Sequence, residues 1–171
     1  MSHIPAKHQS EAIGAKEILD IFGSTLSVLS DGSTIPMVFG EERVPAGFGV
    51  PMHVHEDDDE LFYLPDGQLV VVRPKGETKI GRGDCVKLPR GVPHGLRNAA
   101  DAPARMLVAL APGLRTLQML RHFDRAGRAG RLAPNDVVGI GSQYGARFVE
   151  NIELPRQGAS NAPLNGLRGV S

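Results

Sequence analysis

The chain has 171 residues, the length of one domain with extra at the ends, and 41% of them are hydrophobic, enough for a buried core. Lys+Arg and Asp+Glu balance at 19 each, so the basic excess of a nucleic-acid footprint is missing, and with 5% aromatics and no Trp there is little material for base stacking. One cysteine, Cys85, excludes an intrachain disulfide and gives no sign of an oxidising compartment; it is expected to pack as a small apolar strand residue.

The first residues, MSHIPAKHQSEAIGAKEILD, hold no continuous apolar stretch of signal-peptide type. The longest apolar runs, LVVV (69–72) and MLVALA (106–111), are far too short to span a membrane. A soluble cytoplasmic protein is expected. Residues 1–16 are polar and mixed and read as an N-terminal arm.

From 17 to 111 the pattern is short extended pieces separated by turn signals such as SDGS, PDG, PKGE, GRGD and PRGVP. Strands are predicted at 17–22, 25–30, 35–44, 51–55, 60–64, 68–72, 77–80, 84–88, 94–98 and 104–110. That number of short strands predicts an all-β sandwich or barrel over 17–111. The texture changes after Pro112. Leu114, Leu117, Met119, Leu120 and Phe123 recur at helical spacing, which predicts a helix over 114–127. A second short helix is predicted over 134–145, with Pro134 at its start and Gly145 as its stop. Residues 112–150 thus form a helical C-terminal extension, and 151–171 a tail without a core of its own.

The chemistry gathers in HVHEDDDELFYLPDG, residues 53–67. Side chains alternate along a strand, so His53 and His55 face the same way and make half of a metal site. Glu60 opens the apolar run ELFYL and can point inward. Asp57, Asp58 and Asp59 are then expected to form a turn that faces water. A further ligand is expected from GDCVKLPRGVPHGLRN, where His94 begins an alternating strand after a turn fixed by two prolines and two glycines.

These residues carry a resemblance to a known family. Gly47, His53, His55, Glu60 and Gly67 fall on the first cupin motif, G(X)5HXH(X)3–4E(X)6G. Gly83, Pro89, Gly91, His94 and Asn98 fall on the second, G(X)5PXG(X)2H(X)3N. The chain therefore resembles the cupins over residues 35–111, and, more faintly through 112–150 and the run HVHEDDDELFY, single-domain cupins related to quercetin 2,3-dioxygenase. Pro65 and Asp66 depart from the usual FYVLEGE and are expected to reshape the turn there.

The resemblance implies a small antiparallel jelly-roll barrel and a divalent transition metal (Fe, Mn, Ni, Co, Cu or Zn) held inside it by His53, His55, Glu60 and His94. Three neutral imidazoles and one carboxylate would leave the site at about +1, with positions open for a substrate oxygen and O2. It implies a metal-dependent dioxygenase acting on an aromatic or enolisable hydroxy-ketone, with Glu60 both ligand and catalytic base. An oxygen-independent isomerase, epimerase or lyase is a second reading, and a non-enzymatic small-molecule-binding cupin a third. Few charged groups occupy the predicted inward positions, which favours an apolar substrate. Phe62, Met106 and Val108 are the candidate pocket residues, with core packing the plainer role for each. Asn98 reads as a structural hydrogen-bonding residue. His3, His8 and His122 lack partners at ligand spacing and read as surface residues. Arg121, Arg125, Arg128 and Arg131 read as a solvated face or a dimer contact. A homodimer is expected, with a small-molecule substrate and neither nucleic acid nor membrane as partner.

Overall fold

The computed structural model describes residues 14–130 and 132–149. Most of the predicted N-terminal arm, the tail, His3, His8 and Arg131 lie outside the described residues. The ten predicted strands all form: β1 (Glu17–Ile21), β2 (Ser24–Asp31), β3 (Val38–Val44), β4 (Gly49–His55), β5 (Asp59–Asp66), β6 (Gln68–Arg73), β7 (Gly76–Gly81), β8 (Cys85–Leu88), β9 (His94–Arg97) and β10 (Ala104–Ala111). Helices α1 (Leu114–Arg128) and α2 (Pro134–Gln143) follow, then a short strand that the sequence did not announce, β11 (Ala146–Phe148).

Two antiparallel sheets face each other, ordered β1-β2-β3-β10-β5-β8 and β11-β4-β9-β6-β7. The inner faces follow from period-two alternation. Ala104, Met106, Val108 and Leu110 of β10 are buried, while the residues between them are more exposed. β3 presents Val38, Gly40, Glu42 and Val44 to the interior by the same rule. β6 is flanked by β7 and β9, and Leu69, Val70 and Val71 are all buried. This is a jelly-roll architecture, mostly β, with two C-terminal helices. No helix among the described residues is long and apolar enough to cross a membrane.

Three local readings need correction. Cys85 lies on β8 but is exposed; its parity puts it on the outer face, with Leu88 buried on the same strand. Phe22, predicted as the end of β1, is instead in the two-residue turn between β1 and β2, with φ 58° and Gly23 at φ 99°. Positive φ at both central residues gives the hairpin a twist that matches its strands. A phenylalanine rarely takes this conformation; here it packs on Phe123 of α1, ring centroids 5.2 Å apart. Pro65 and Asp66 continue β5 instead of reshaping the turn, and the irregularity falls within β5 itself, where Leu64 and Pro65 together face the single residue Met106 of β10.

Helix α1 is fastened to the barrel at both ends. Its amphipathic face buries Leu117, Met119 and Phe123. Arg121 forms an ion pair with Glu17, and Asp124 accepts the Asp20 N–H at 2.8 Å while pairing with Arg128. At the other end the helix begins at Gly113, with φ 78°. A Cβ there would sit 2.7 Å from Leu110 Cβ and 2.8 Å from its carbonyl oxygen. Backbone conformation and close approach together require glycine. Gly113→Ala is expected to destabilise the fold by about 2–4 kcal/mol, from the strained conformation and the overpacking combined. Urea denaturation checks this; a loss under 1 kcal/mol would mean that the α1 junction is loosely packed.

Candidate metal centre

The period-two geometry of β4 puts His53 and His55 on one face, and β9 lies beside β4 with His94 opposite His53. Glu60 comes from β5 in the other sheet. One ligand atom from each of His53, His55, Glu60 and His94 lies within 4.8 Å of the others. His53 Nε2 is 3.1 Å from His55 Nε2, and Glu60 Oε2 is 3.0 Å from His94 Nε2 and 3.8 Å from His55 Nε2. The three imidazoles are buried.

The outward ring nitrogens decide what the inward ones carry. His53 Nδ1 lies 2.9 Å from the Pro51 carbonyl and His94 Nδ1 lies 2.9 Å from the Val92 carbonyl. A carbonyl only accepts, so each Nδ1 bears the proton. His55 Nδ1 meets the Thr116 hydroxyl at 3.2 Å, and that hydroxyl gives its own hydrogen to Asp58 at 2.6 Å. His55 Nδ1–H is therefore the donor there as well. With a neutral ring, each Nε2 presents a lone pair to the common centre.

The electrostatics keep two of the rings neutral. Burial, then the neighbouring His55 and His94, push the His53 imidazole down to about 3. Burial also lowers His55, against the opposing pull of Glu60. Burial works against a charged His94 too, but the hydrogen bond and charge of Glu60 outweigh it and raise its pKa. Burial favours a protonated Glu60, and the His94 hydrogen bond with the three imidazoles outweighs it, so Glu60 stays ionised. A proton between His94 and Glu60 satisfies that pair. The lone pairs of His53 and His55 still face each other at 3.1 Å, an arrangement that a shared cation relieves. The donor set fits a divalent transition metal, and outward Nδ1–H donors that fix each ring are the usual support for metal-bound histidines.

The cluster opens onto a cavity of about 110 Å³. Phe62 and Val108 line it. Met106 does not: it is 1% exposed and packs in the core two residues further along β10, away from the cluster. The cavity roof is the helical extension, through Met119, Leu120 and Phe123 of α1 and Val137 of α2. Phe148 of β11 closes the side, its ring 5.7 Å from that of His53. Asn98 is a structural residue: its side chain holds the carbonyls of Val44 and Ala102 and the Ala100 N–H. His122 is half-buried, with Nδ1 3.4 Å from the Tyr144 hydroxyl, and stands apart from the cluster.

The acidic run divides differently from the expected water-facing turn. Asp57 and Asp59 are exposed and pair with Arg115 and Arg90. Asp58 is 3% exposed and accepts from the Gly113 N–H at 2.8 Å and from Thr116. Its carboxylate sits at the N-terminus of α1, where a negative charge is favoured. Sequence reading missed this because the helix that buries Asp58 begins 55 residues later. It also missed Thr116, whose signal is a lone hydroxyl within an apolar helix stripe, and Glu42, whose signal is its parity with Val38 and Val44.

Asp58, Thr116 and His55 form a chain from the helix to the metal centre. Thr116→Val keeps the side chain's shape and removes the acceptor for His55 Nδ1–H. It is expected to weaken Zn(II) binding by about 10–100-fold, the usual loss for such supporting partners, as read by competition with a chromophoric chelator. Unchanged affinity would mean that strand geometry alone holds His55.

A model of the cupin domain matches residues 40–110, which contain all four ligand candidates. A tetracenomycin polyketide synthase protein, TcmJ, of Streptomyces glaucescens is 30% identical over 104 residues, 60% of this chain and 69% of that one. A probable germin-like protein of Arabidopsis thaliana is 31% identical over 118 residues; these make up 66% of this chain and about half, 53%, of the plant protein. Among solved structures, a sugar phosphate isomerase of the cupin superfamily from Silicibacter pomeroyi superposes with a TM-score of 0.50 at 26% identity, covering 64% of this chain and 75% of that one. With the two facing sheets and the buried His53, His55, Glu60 and His94 between them, these likenesses make the chain a member of the cupin superfamily.

Proposed function

We propose that this protein is a metal-dependent enzyme acting on a small, uncharged, enolisable ketone or hydroxy-ketone. One observation carries the reading: a histidine–carboxylate cluster opens onto a cavity lined almost wholly by apolar side chains. Among the described residues no Lys or Arg lines it. A phosphate or carboxylate would be buried there without a counter-charge, at a cost of several kcal/mol. The likeness to the sugar phosphate isomerase therefore supports the fold more than the substrate. The likeness to a polyketide synthase protein fits an enolisable ketone.

The cavity size narrows the class. Its volume of about 110 Å³ is of the same order as an apolar cavity of ~150 Å³ that takes up one benzene molecule. A one-ring or short branched molecule fits; a flavonol would require α1 and α2 to move. A divalent ion held by His53, His55, Glu60 and His94 supplies Lewis acidity, which lowers the pKa of a hydroxyl or α-C–H beside a coordinated oxygen. Glu60, ionised and at the cavity wall, is the base that takes that proton. Phe62, Val108 and Phe148 exclude water from the carbanionic product of proton removal and hold the substrate flat. The enolate can then react with O2 as co-reactant, the dioxygenase reading, or be reprotonated on a neighbouring carbon, the isomerase reading.

One experiment separates these. Metal-free protein is reconstituted in turn with Fe(II), Mn(II), Co(II) and Ni(II) and given 2-hydroxycyclohexanone in D2O, with NMR of the α-position and an oxygen electrode run in parallel. Metal-dependent α-deuteration is expected, lost in His94→Ala and reduced about 100-fold or more in Glu60→Gln. Oxygen uptake at the same rate assigns a dioxygenase; exchange without uptake assigns an isomerase or lyase. Fully metallated protein that shows neither would contradict the proposal.

A further inference from the structure

Glu42 is an ionisable group within the barrel that the metal centre does not use. It occupies an inward position of β3, between Gly40 and Val44, and lines the same cavity as the cluster. Apart from Glu60 and the three imidazoles, it is the one titratable side chain on the wall among the described residues. Its Oε1 receives a hydrogen bond from the Ser24 hydroxyl, which is fully buried. Its Oε2 has no protein partner among the described residues, yet no fully buried side-chain polar atom there is left unpaired. Oε2 therefore keeps surface open to the cavity.

A purely structural carboxyl in this place is hard to justify. An apolar side chain of similar size would fit the surrounding stripe at no desolvation cost. No described cation pairs with Glu42. Burial, opposed by the Ser24 hydrogen bond and reinforced by the charge of Glu60, pushes its carboxyl up to about 7. A good share of the carboxyls then carry a proton near neutrality and can donate as well as accept.

Strand β10 measures how far Glu42 stands from the cluster. Glu42 pairs with Met106 on one side of β10, and Glu60 pairs with Leu110 on the other. The two backbones are thus two strand spacings apart, about 10 Å, and four residues along, about 13 Å. Both side chains reach inward into the same cavity. A molecule whose first oxygen lies at the cluster would present its far end to Glu42.

Resting on the functional reading above, we propose that Glu42 is the second polar anchor of the substrate site. It hydrogen-bonds a hydroxyl or carbonyl at the far end of the molecule, and so selects neutral substrates that carry two separated oxygens. Ser24 holds the carboxyl in place through Oε1 and leaves Oε2 for the ligand.

The test uses Co(II)-loaded protein and matched pairs of ketones that differ in the far oxygen: 4-methylcyclohexanone against 4-hydroxycyclohexanone, and 4-propylcyclohexanone against 4-(2-hydroxyethyl)cyclohexanone. The Co(II) visible spectrum reports the ketone at the metal, and calorimetry gives Kd. At least one hydroxylated member is expected to bind about tenfold more tightly than its match, the size of one buried hydrogen bond. Glu42→Met should abolish that preference while leaving the ligand-free Co(II) spectrum unchanged, and Glu42→Gln, which still donates, should keep most of it. Equal affinities within both pairs in the unaltered protein would overturn the anchor even if no variant folds. A preference that survives Glu42→Met would overturn it as well. Ketones that never perturb the Co(II) spectrum would overturn the functional reading itself, and the anchor with it.

Discussion

Three imidazole Nε2 atoms aimed at one point, two of them with facing lone pairs, are the constraint around which this molecule is arranged. Left alone, the arrangement is unfavourable. Neutral rings at hydrogen-bond distance with both protons turned outward repel each other, and burial denies them the alternative of becoming charged. The fold maintains it by giving each Nδ1–H a fixed acceptor: the Pro51 carbonyl, the Val92 carbonyl and the Thr116 hydroxyl. Two of those acceptors lie on the backbone two residues before their histidine, so the local path of the chain sets the tautomer. The third belongs to α1.

That third link makes the helical extension part of the site. Asp58 leaves the barrel strands just before Glu60, is buried at the start of α1, and engages Gly113 and Thr116. At the far end of α1, Asp124 and Arg121 bind the β1 hairpin. The helix therefore cannot shift as a body without disturbing either the His55 hydrogen bond or the hairpin that carries Phe22. The same helix roofs an apolar cavity, so water exclusion and ligand orientation depend on one docking event. The low dielectric that results strengthens the interaction of any bound ion with substrate oxygen.

Much of this was legible in the residues. Turn chemistry and alternation located ten strands and two helices, and the spacing of His53, His55, Glu60 and His94 put all four on converging faces. Both kinds of signal are local, or need only strand periodicity. What was not legible depends on elements distant in sequence. Asp58 looks like its neighbours Asp57 and Asp59 until α1 lands on it. β11 is three residues long, and forms because the edge of β4 offers unpaired backbone beside His53 and His55. Met106 shares the parity of Val108, but parity reports the face of a strand and says nothing of which end meets the cavity. Glu42 sits in a run, GEER, whose charges mask its inward position. Phe22 occupies a turn conformation that no propensity would assign to it; packing on Phe123 holds it there.

The central claim is that these four side chains hold one divalent metal ion through three imidazoles and a carboxylate. X-ray absorption spectroscopy on protein loaded with one equivalent of Zn(II) tests it most directly. The account predicts a nitrogen and oxygen shell alone, with outer-shell scattering from three imidazoles that falls to two in His94→Ala. Sulfur in the shell, which would implicate the exposed Cys85, or no retained metal at all, would contradict it.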